Sequence, residues 1–295
     1  MDIVAAKKSM PTVRLRRLAT QLRRLREGAD LTREEVAERT NINAATLYRI
    51  ETAKSRPQTR TLLTLLDLYD TPADEQERLK TLSKESVKPG WIRPWHESLA
   101  EEYTTYISFE DEAQGMRNYS GLFMPGLLQT EDYARAVIGG VLHSATTEQI
   151  EDRVRTRMER RAVLTKERPL HLWAVIDEAA LRREIGGREV MHAQLEHLRQ
   201  TAMVATVKIQ IIPFSSGSHP GMPGQFVVME FEDPMDADLI YVDGQAGETL
   251  LESETDIKRF RSDFDHLVAV AMSPNDSSAF IAEIASEYRR NEARP

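Results

Sequence analysis

Leu15, Leu18, Leu22 and Leu25 recur at spacings of three and four, which places them on one stripe and predicts a helix over residues 13–28. Arg14, Arg16, Arg17, Arg23, Arg24 and Arg26 occupy the rest of its circumference. A second helix opens at Thr32-x-x-Glu35, a capping box in which each side chain satisfies a backbone amide of the other residue. It turns Val36 and Ala37 inward and stops near Thr40 and Asn41. Asn43 is a good N-cap for a third helix with Leu47 and Ile50 inward. Two more helices follow, over 59–69 and 75–83. The segment KESVKPGWIRP (84–94), with two prolines and a glycine, reads as a linker.

From Trp95 the pattern changes. Helical periodicity recurs at 97–107, 131–138, 148–164, 188–203, 254–271 and 277–290. Between these lie runs that read as half-buried strands: LHLWAVI (170–176), TVKIQIIP (206–213), GQFVVMEF (224–231) and DLIYV (238–242). Interspersed strands and helices imply an α+β domain. The expected organisation is therefore an all-α five-helix head over 1–83, a linker over 84–94 and an α+β domain over 95–295.

Charge sharpens this division. Residues 1–60 hold 14 Lys and Arg against 7 Asp and Glu, a net of +7; the other residues hold 25 against 40, a net of −15. A basic head on an acidic body is the footprint of a module that meets phosphate, while the body does something else. No apolar run approaches the ~18 residues that span a bilayer. The stretch MDIVAAKKSMP lacks the apolar centre of a secretory signal. The chain has no cysteine, which excludes disulfides and thiolate metal sites and suits a cytoplasmic location.

The segment LTREEVAERTNINAATLYRIETAKSRP (31–57) resembles the Xre/phage-repressor family of helix-turn-helix proteins. Ala37 fills the small position inside the turn, Asn41-Ile42 form the turn, and Ile50-Glu51 end the second helix before the basic loop Lys54-Ser55-Arg56-Pro57. The resemblance implies a lambda-repressor-like head whose third helix enters the major groove. It departs from the family at the turn, where Asn41 stands for the usual Gly, and at Thr52-Ala53, where Asn-Gly is common. Carried over residue by residue, it puts Ala44, Ala45, Thr46 and Arg49 on the groove face, with Tyr48 beside them. The two alanines offer methyl contact and Arg49 a bidentate pair with guanine. Arg33, Asn43, Lys54, Arg56 and Arg60 fall where phosphates pass. For Tyr48 a packing role stands level with DNA contact. Arg26 is implied to pair with Glu51 and fix the angle of the third helix.

GLFMPGLLQTEDYARAV (121–137), RVRTRMERRAVL (153–164), IDEAALRREIGG (176–187), MHAQLEHL (191–198) and IIPFSSGSHPGMPGQFVVMEF (211–231) together resemble the C-terminal domain of actinobacterial Xre-type regulators of the Streptomyces kind. That resemblance implies transcription control and, for some members, an antitoxin-like pairing with a small acidic protein. It supplies no chemical site.

Nor do the residues supply one on their own. His192 and His197 are five apart, not the four that share a helix face, and no HExxH occurs, so no metal, cofactor or catalytic residue is expected. Ser215, Ser216, Ser218 and His219 share a loop without a G-x-S-x-G elbow. The loop 124–130 either flanks a pocket or is a Pro-Gly turn with Leu127 and Leu128 in the core, the second being favoured. The run Arg153, Arg155, Arg157, Arg160 and Arg161 reads first as a salt-bridged helix, then as a surface for an acidic partner or for DNA.

The expected function is a sequence-specific transcriptional regulator that binds double-stranded DNA as a homodimer on a two-fold operator. Its second domain dimerises and senses a small-molecule effector or a small acidic partner protein. No enzymatic activity is expected. The rivals are an antitoxin-like interaction protein and, further off, an enzyme-derived sensor.

Overall fold

The computed structural model describes residues 12–86, 101–232, 237–244 and 247–290. Most of the expected linker and the start of the expected helix at 97–107 lie outside the described residues. The chain divides into two compact units.

The first unit is all helical. It comprises α1 (Val13–Gly28), α2 (Arg33–Thr40), α3 (Ala44–Glu51), α4 (Thr59–Leu68), α5 (Ala73–Glu85) and α6 (Glu101–Glu112). The leucine stripe of α1 closes one core cluster, in which Leu18 and Leu22 meet Ile50, Leu62, Leu66 and Leu79. A second cluster joins Leu31, Val36 and Leu47 to Leu65 and Tyr69. α6 packs on α1: Arg14 meets Glu112 at 3.2 Å, and the Arg16 guanidinium lies 5.4 Å from the Phe109 ring centre.

The second unit is α+β, as the alternating pattern indicates. One six-stranded sheet runs in the order β3-β2-β1-β4-β5-β6, from β1 (Gly115–Ser120), β2 (His171–Asp177), β3 (Val207–Ile212), β4 (Phe226–Glu230), β5 (Leu239–Gly244) and β6 (Gly247–Leu251). β1, β2 and β3 are parallel, and β4, β5 and β6 add on antiparallel. The helices are α7 (Glu131–Val141), α8 (Thr147–Arg160), α9 (Glu178–Arg182), α10 (Arg188–Thr201), α11 (Glu254–Val270) and α12 (Pro274–Arg290). One sheet face, carrying Tyr119, Val175, Ile212, Phe226, Val228 and Ile240, packs on Phe264 and Leu267 of α11. On the opposite face Leu172, Ala174, Ile176, Ile209 and Ile211 are buried too.

Two strands were not expected. β1, with the sequence GMRNYS, carries Gly, Arg, Asn and Ser and lacks an apolar run, yet it joins the parallel to the antiparallel half. Its polar groups are satisfied in place. Arg117 pairs with Glu230 at 3.0 Å and Asp265 at 3.1 Å, and Ser120 donates to Asn118. β6 contains only the short run Thr249–Leu250–Leu251 of strand-like character.

The parallel strands end together, since Ser120 lies beside Ile176 and Ile176 beside Ile211. Past this edge, Tyr119 is wedged between two loops. A methyl group on Gly121 would sit 3.0 Å from its hydroxyl, and one on Gly221 would sit 2.4 Å from its ring. Asp177 fastens the second loop by accepting from His219 Nε2 at 3.1 Å, while its other oxygen caps α9 through the Ala179 amide. The loop at 124–130 is core: Met124, Leu127 and Leu128 are buried, and the buried Gln129 donates to the Met124 carbonyl at 2.7 Å.

Gly221→Ala is expected to destabilise the second unit by about 1–3 kcal/mol, because the new methyl overlaps the Tyr119 ring. Gly224→Ala, which meets nothing within 4 Å, is the control. Denaturant unfolding of both checks this, and equal midpoints would show that the loop is not seated on Tyr119.

Candidate nucleic-acid interface

The interface is built on two short helices and the turn between them. Thr32 and Glu35 form the capping box at the start of α2, and the two bonds from Thr32 hold the Glu35 carboxyl below its ordinary range. The turn closes at Asn41, which adopts φ 58° and ψ 17°. Asparagine enters this left-handed region more readily than other side chains, so it replaces glycine here without losing the turn. Asn43 then caps α3 by accepting from the Ala45 amide at 2.8 Å.

On α3, Leu47 and Ile50 point into the core, while Ala45, Thr46, Tyr48 and Arg49 are exposed and Ala44 is half-buried. Positions 45, 48, 49 and 52 lie one turn apart and form a single outward stripe. Of the groove-face candidates, Ala45, Tyr48 and Arg49 share this stripe, whereas Thr46 lies exposed to one side and Ala44 is half-buried.

The orientation of α3 rests on Glu51, whose side chain has no exposed surface. Arg26 of α1 donates to both carboxylate oxygens, Nε to Oε1 at 2.7 Å and Nη2 to Oε2 at 3.2 Å. Its remaining Nη1 donates to the Leu31 carbonyl at 2.7 Å, so one guanidinium joins α1, α3 and the entry to α2. The bond to Glu51 holds the Arg26 pKa above its ordinary value. Arg33 of α2 adds a third strut, Nε to Oε2 at 2.8 Å.

This changes how the cations are employed. Arg33 is bonded to Glu51 and lies 5.5 Å from the Tyr48 ring centre. Lys54 lies 4.7 Å over the same ring and donates to its hydroxyl at 3.3 Å. Tyr48, 44% exposed, is therefore flanked by two cations. Arg56 donates to the Ser83 carbonyl at 3.3 Å, and Arg60 is exposed at the start of α4. Sequence reasoning missed the device that folds Lys54 back: Ala53 takes φ 54°, and the Lys54 amide then reaches the Arg49 carbonyl at 2.7 Å.

In the second unit the histidines are dispersed: His192 bonds the Ala285 carbonyl, His197 faces Arg161 at 3.2 Å, and His266 bonds the Ser262 carbonyl. Burial and Arg161 lower the His197 pKa. Among the described residues no group of three or more side chains is placed to hold a metal ion. The arginine run is largely engaged, with Arg155 on Asp152, Arg157 on Gln129 and Arg161 at His197. One acid–histidine pair, Asp177–His219, was not visible in the sequence because its members are 42 residues apart.

Compared with known families, residues 17–79 match a helix-turn-helix domain and residues 103–283 match a domain of unknown function, DUF5753. No curated protein and no solved structure matches the chain. No helix among the described residues is long and apolar enough to cross a membrane.

Removing Glu51 leaves Arg26 buried without its counter-charge, so Glu51→Ala is expected to cost the head about 3–5 kcal/mol. Chemical denaturation followed by helical circular dichroism checks this. A loss below about 1 kcal/mol, the range of solvated pairs, would contradict the assignment.

Proposed function

The chain belongs to the DUF5753 family and carries a helix-turn-helix DNA-binding domain at its head, and from that premise we propose that it is an Xre-type transcriptional regulator, acting in the cytoplasm as a homodimer. The observation that carries this reading is the stripe Ala45, Tyr48 and Arg49, held outward on α3 by the buried Arg26–Glu51–Arg33 bridge. A side chain reads a base edge only if its helix enters the groove at a fixed angle, and the bridge supplies that angle. Arg49 reads a guanine, Ala45 and Thr46 lie against neighbouring bases, and Arg60 with Arg56 and Asn43 holds the phosphates.

A single recognition helix covers few base pairs, so the protein works as two copies on half-sites about 34 Å apart. The second unit supplies self-association and receives the effector or partner protein whose binding changes the spacing of the heads. Its net acidity drives it from DNA and makes it a poor second DNA contact. No catalysis is assigned to it. The Asp177–His219 pair is accounted for as a fastener, because Asp177 spends its second oxygen on α9 and the His219 side chain is buried.

Arg49→Ala is expected to lose roughly 1–3 kcal/mol at one base pair of the operator and to relax preference there. Arg60→Ala is expected to weaken all sequences alike and to flatten the salt dependence. Binding titrations over an operator library at two salt concentrations check both. An unchanged rank order of operators for Arg49→Ala sinks the assignment of the reading face.

A further inference from the structure

Four of the large apolar side chains exposed among the described residues gather at one place in the second unit. Leu122 (59% exposed) follows the end of β1, and Phe214 (58%) and Met222 (68%) follow β3. Val270 lies beside them, its carbonyl bonded to Ser216 Oγ at 2.9 Å. β1 and β3 flank β2 and end in register, so their loops leave the same edge about two strand spacings apart, roughly 10 Å. The loops also meet: Gly121 and Gly221, the neighbours of Leu122 and Met222, both abut Tyr119. Hydrogen bonds from the Phe214 amide to Glu178 (2.8 Å) and from His219 to Asp177 (3.1 Å) hold the second loop in this position. The apolar side chains are therefore displayed on a fixed support.

Charge identifies what the surface receives. The largely exposed segments 121–123 and 213–225, 16 positions in all, contain no Asp, Glu, Lys or Arg, although charged residues make up 29% of the chain and about five would fall there by chance. The cores of homodimer interfaces have this character, depleted of charge and enriched in Phe and Met. An acidic partner finds no Lys or Arg within these two segments. A second copy finds a neutral window in a body that otherwise repels it, since residues 61–295 carry net −15.

We propose that this edge, centred on Leu122, Phe214 and Met222, is the two-fold surface through which two copies of the chain associate. The same loops meet themselves across the axis, as an isologous contact requires. The apolar side chains are the anchors, and a stable interface, which buries about 800 Å² per partner, extends from them over the uncharged loop 213–225. The inference rests on the reading above that the second unit self-associates.

Sedimentation of the full chain tests it. Wild type is expected to be a dimer, and Leu122→Glu and Met222→Glu are expected to raise the dissociation constant at least about 100-fold. Met203→Glu, at an 85% exposed position past the end of α10, is expected to match wild type. Circular dichroism verifies that each variant is folded. Because the chain has no cysteine, Met222→Cys gives a single thiol, and a short bis-maleimide is expected to join two copies. Should the glutamate variants fail to fold, this cross-link decides. A dimeric wild type whose glutamate variants stay dimeric, or whose Met222→Cys does not cross-link, overturns the surface but not self-association. A monomeric wild type overturns both.

Discussion

A carboxylate with no exposed surface stays charged only if the protein replaces its water. Glu51 is the last residue of α3, and its water is replaced by guanidinium groups from α1 and α2. The hydrophobic clusters around Leu22 and Leu47 bring the helices together, but burial is nearly indifferent to rotation of a helix about its own axis. The bridge is not. Bidentate geometry fixes direction as well as distance, so α3 is set in roll and tilt. From there the order continues outward: Arg33 lies over Tyr48, and Lys54 closes the other side. The exposed stripe Ala45, Tyr48 and Arg49 stands on a buried ion pair.

The second unit solves a different problem with similar means. Its sheet changes from parallel to antiparallel at β1, so that strand is bonded on both sides and cannot be spared. A polar sequence survives there because each group has a partner: Arg117 reaches Glu230 and Asp265 and stacks on Phe264. At the outer end, β3 does not present a bare edge, since the Ile211 amide bonds Ser277 and the Ile211 carbonyl takes the Met272 amide. Covering an edge in this way prevents strand addition there.

The head was largely legible because its signals are local. A leucine stripe, a capping box and an Asn cap each sit within one or two turns, and each appears where periodicity placed it. The four apolar strand runs were legible for the same reason. What escaped was whatever depends on distant partners. β1 has no pattern of its own, and its burial is conferred by β2 and β4. The Asp177–His219 fastener needs the fold to bring it together. The engagement of Arg33 and Lys54 with Tyr48 was hidden because a cation near a recognition helix looks, in sequence, like a phosphate ligand.

The pairing of β1 carries a further consequence, in time and not in space. Gly115 meets His171 and also Glu230, so the strand waits for residues 56 and 115 positions later before it has both neighbours. Helices α1 to α3 close over far shorter separations, Arg26 to Glu51 being 25. Local contacts form fast and long-range parallel pairing slowly, and chains emerge from the ribosome at about 5–20 residues per second. During synthesis a folded head precedes a complete sheet by many seconds. In that interval the nascent protein is a lone head on an unfinished strand, with no closed sheet to support the loops at 121–130 and 213–225.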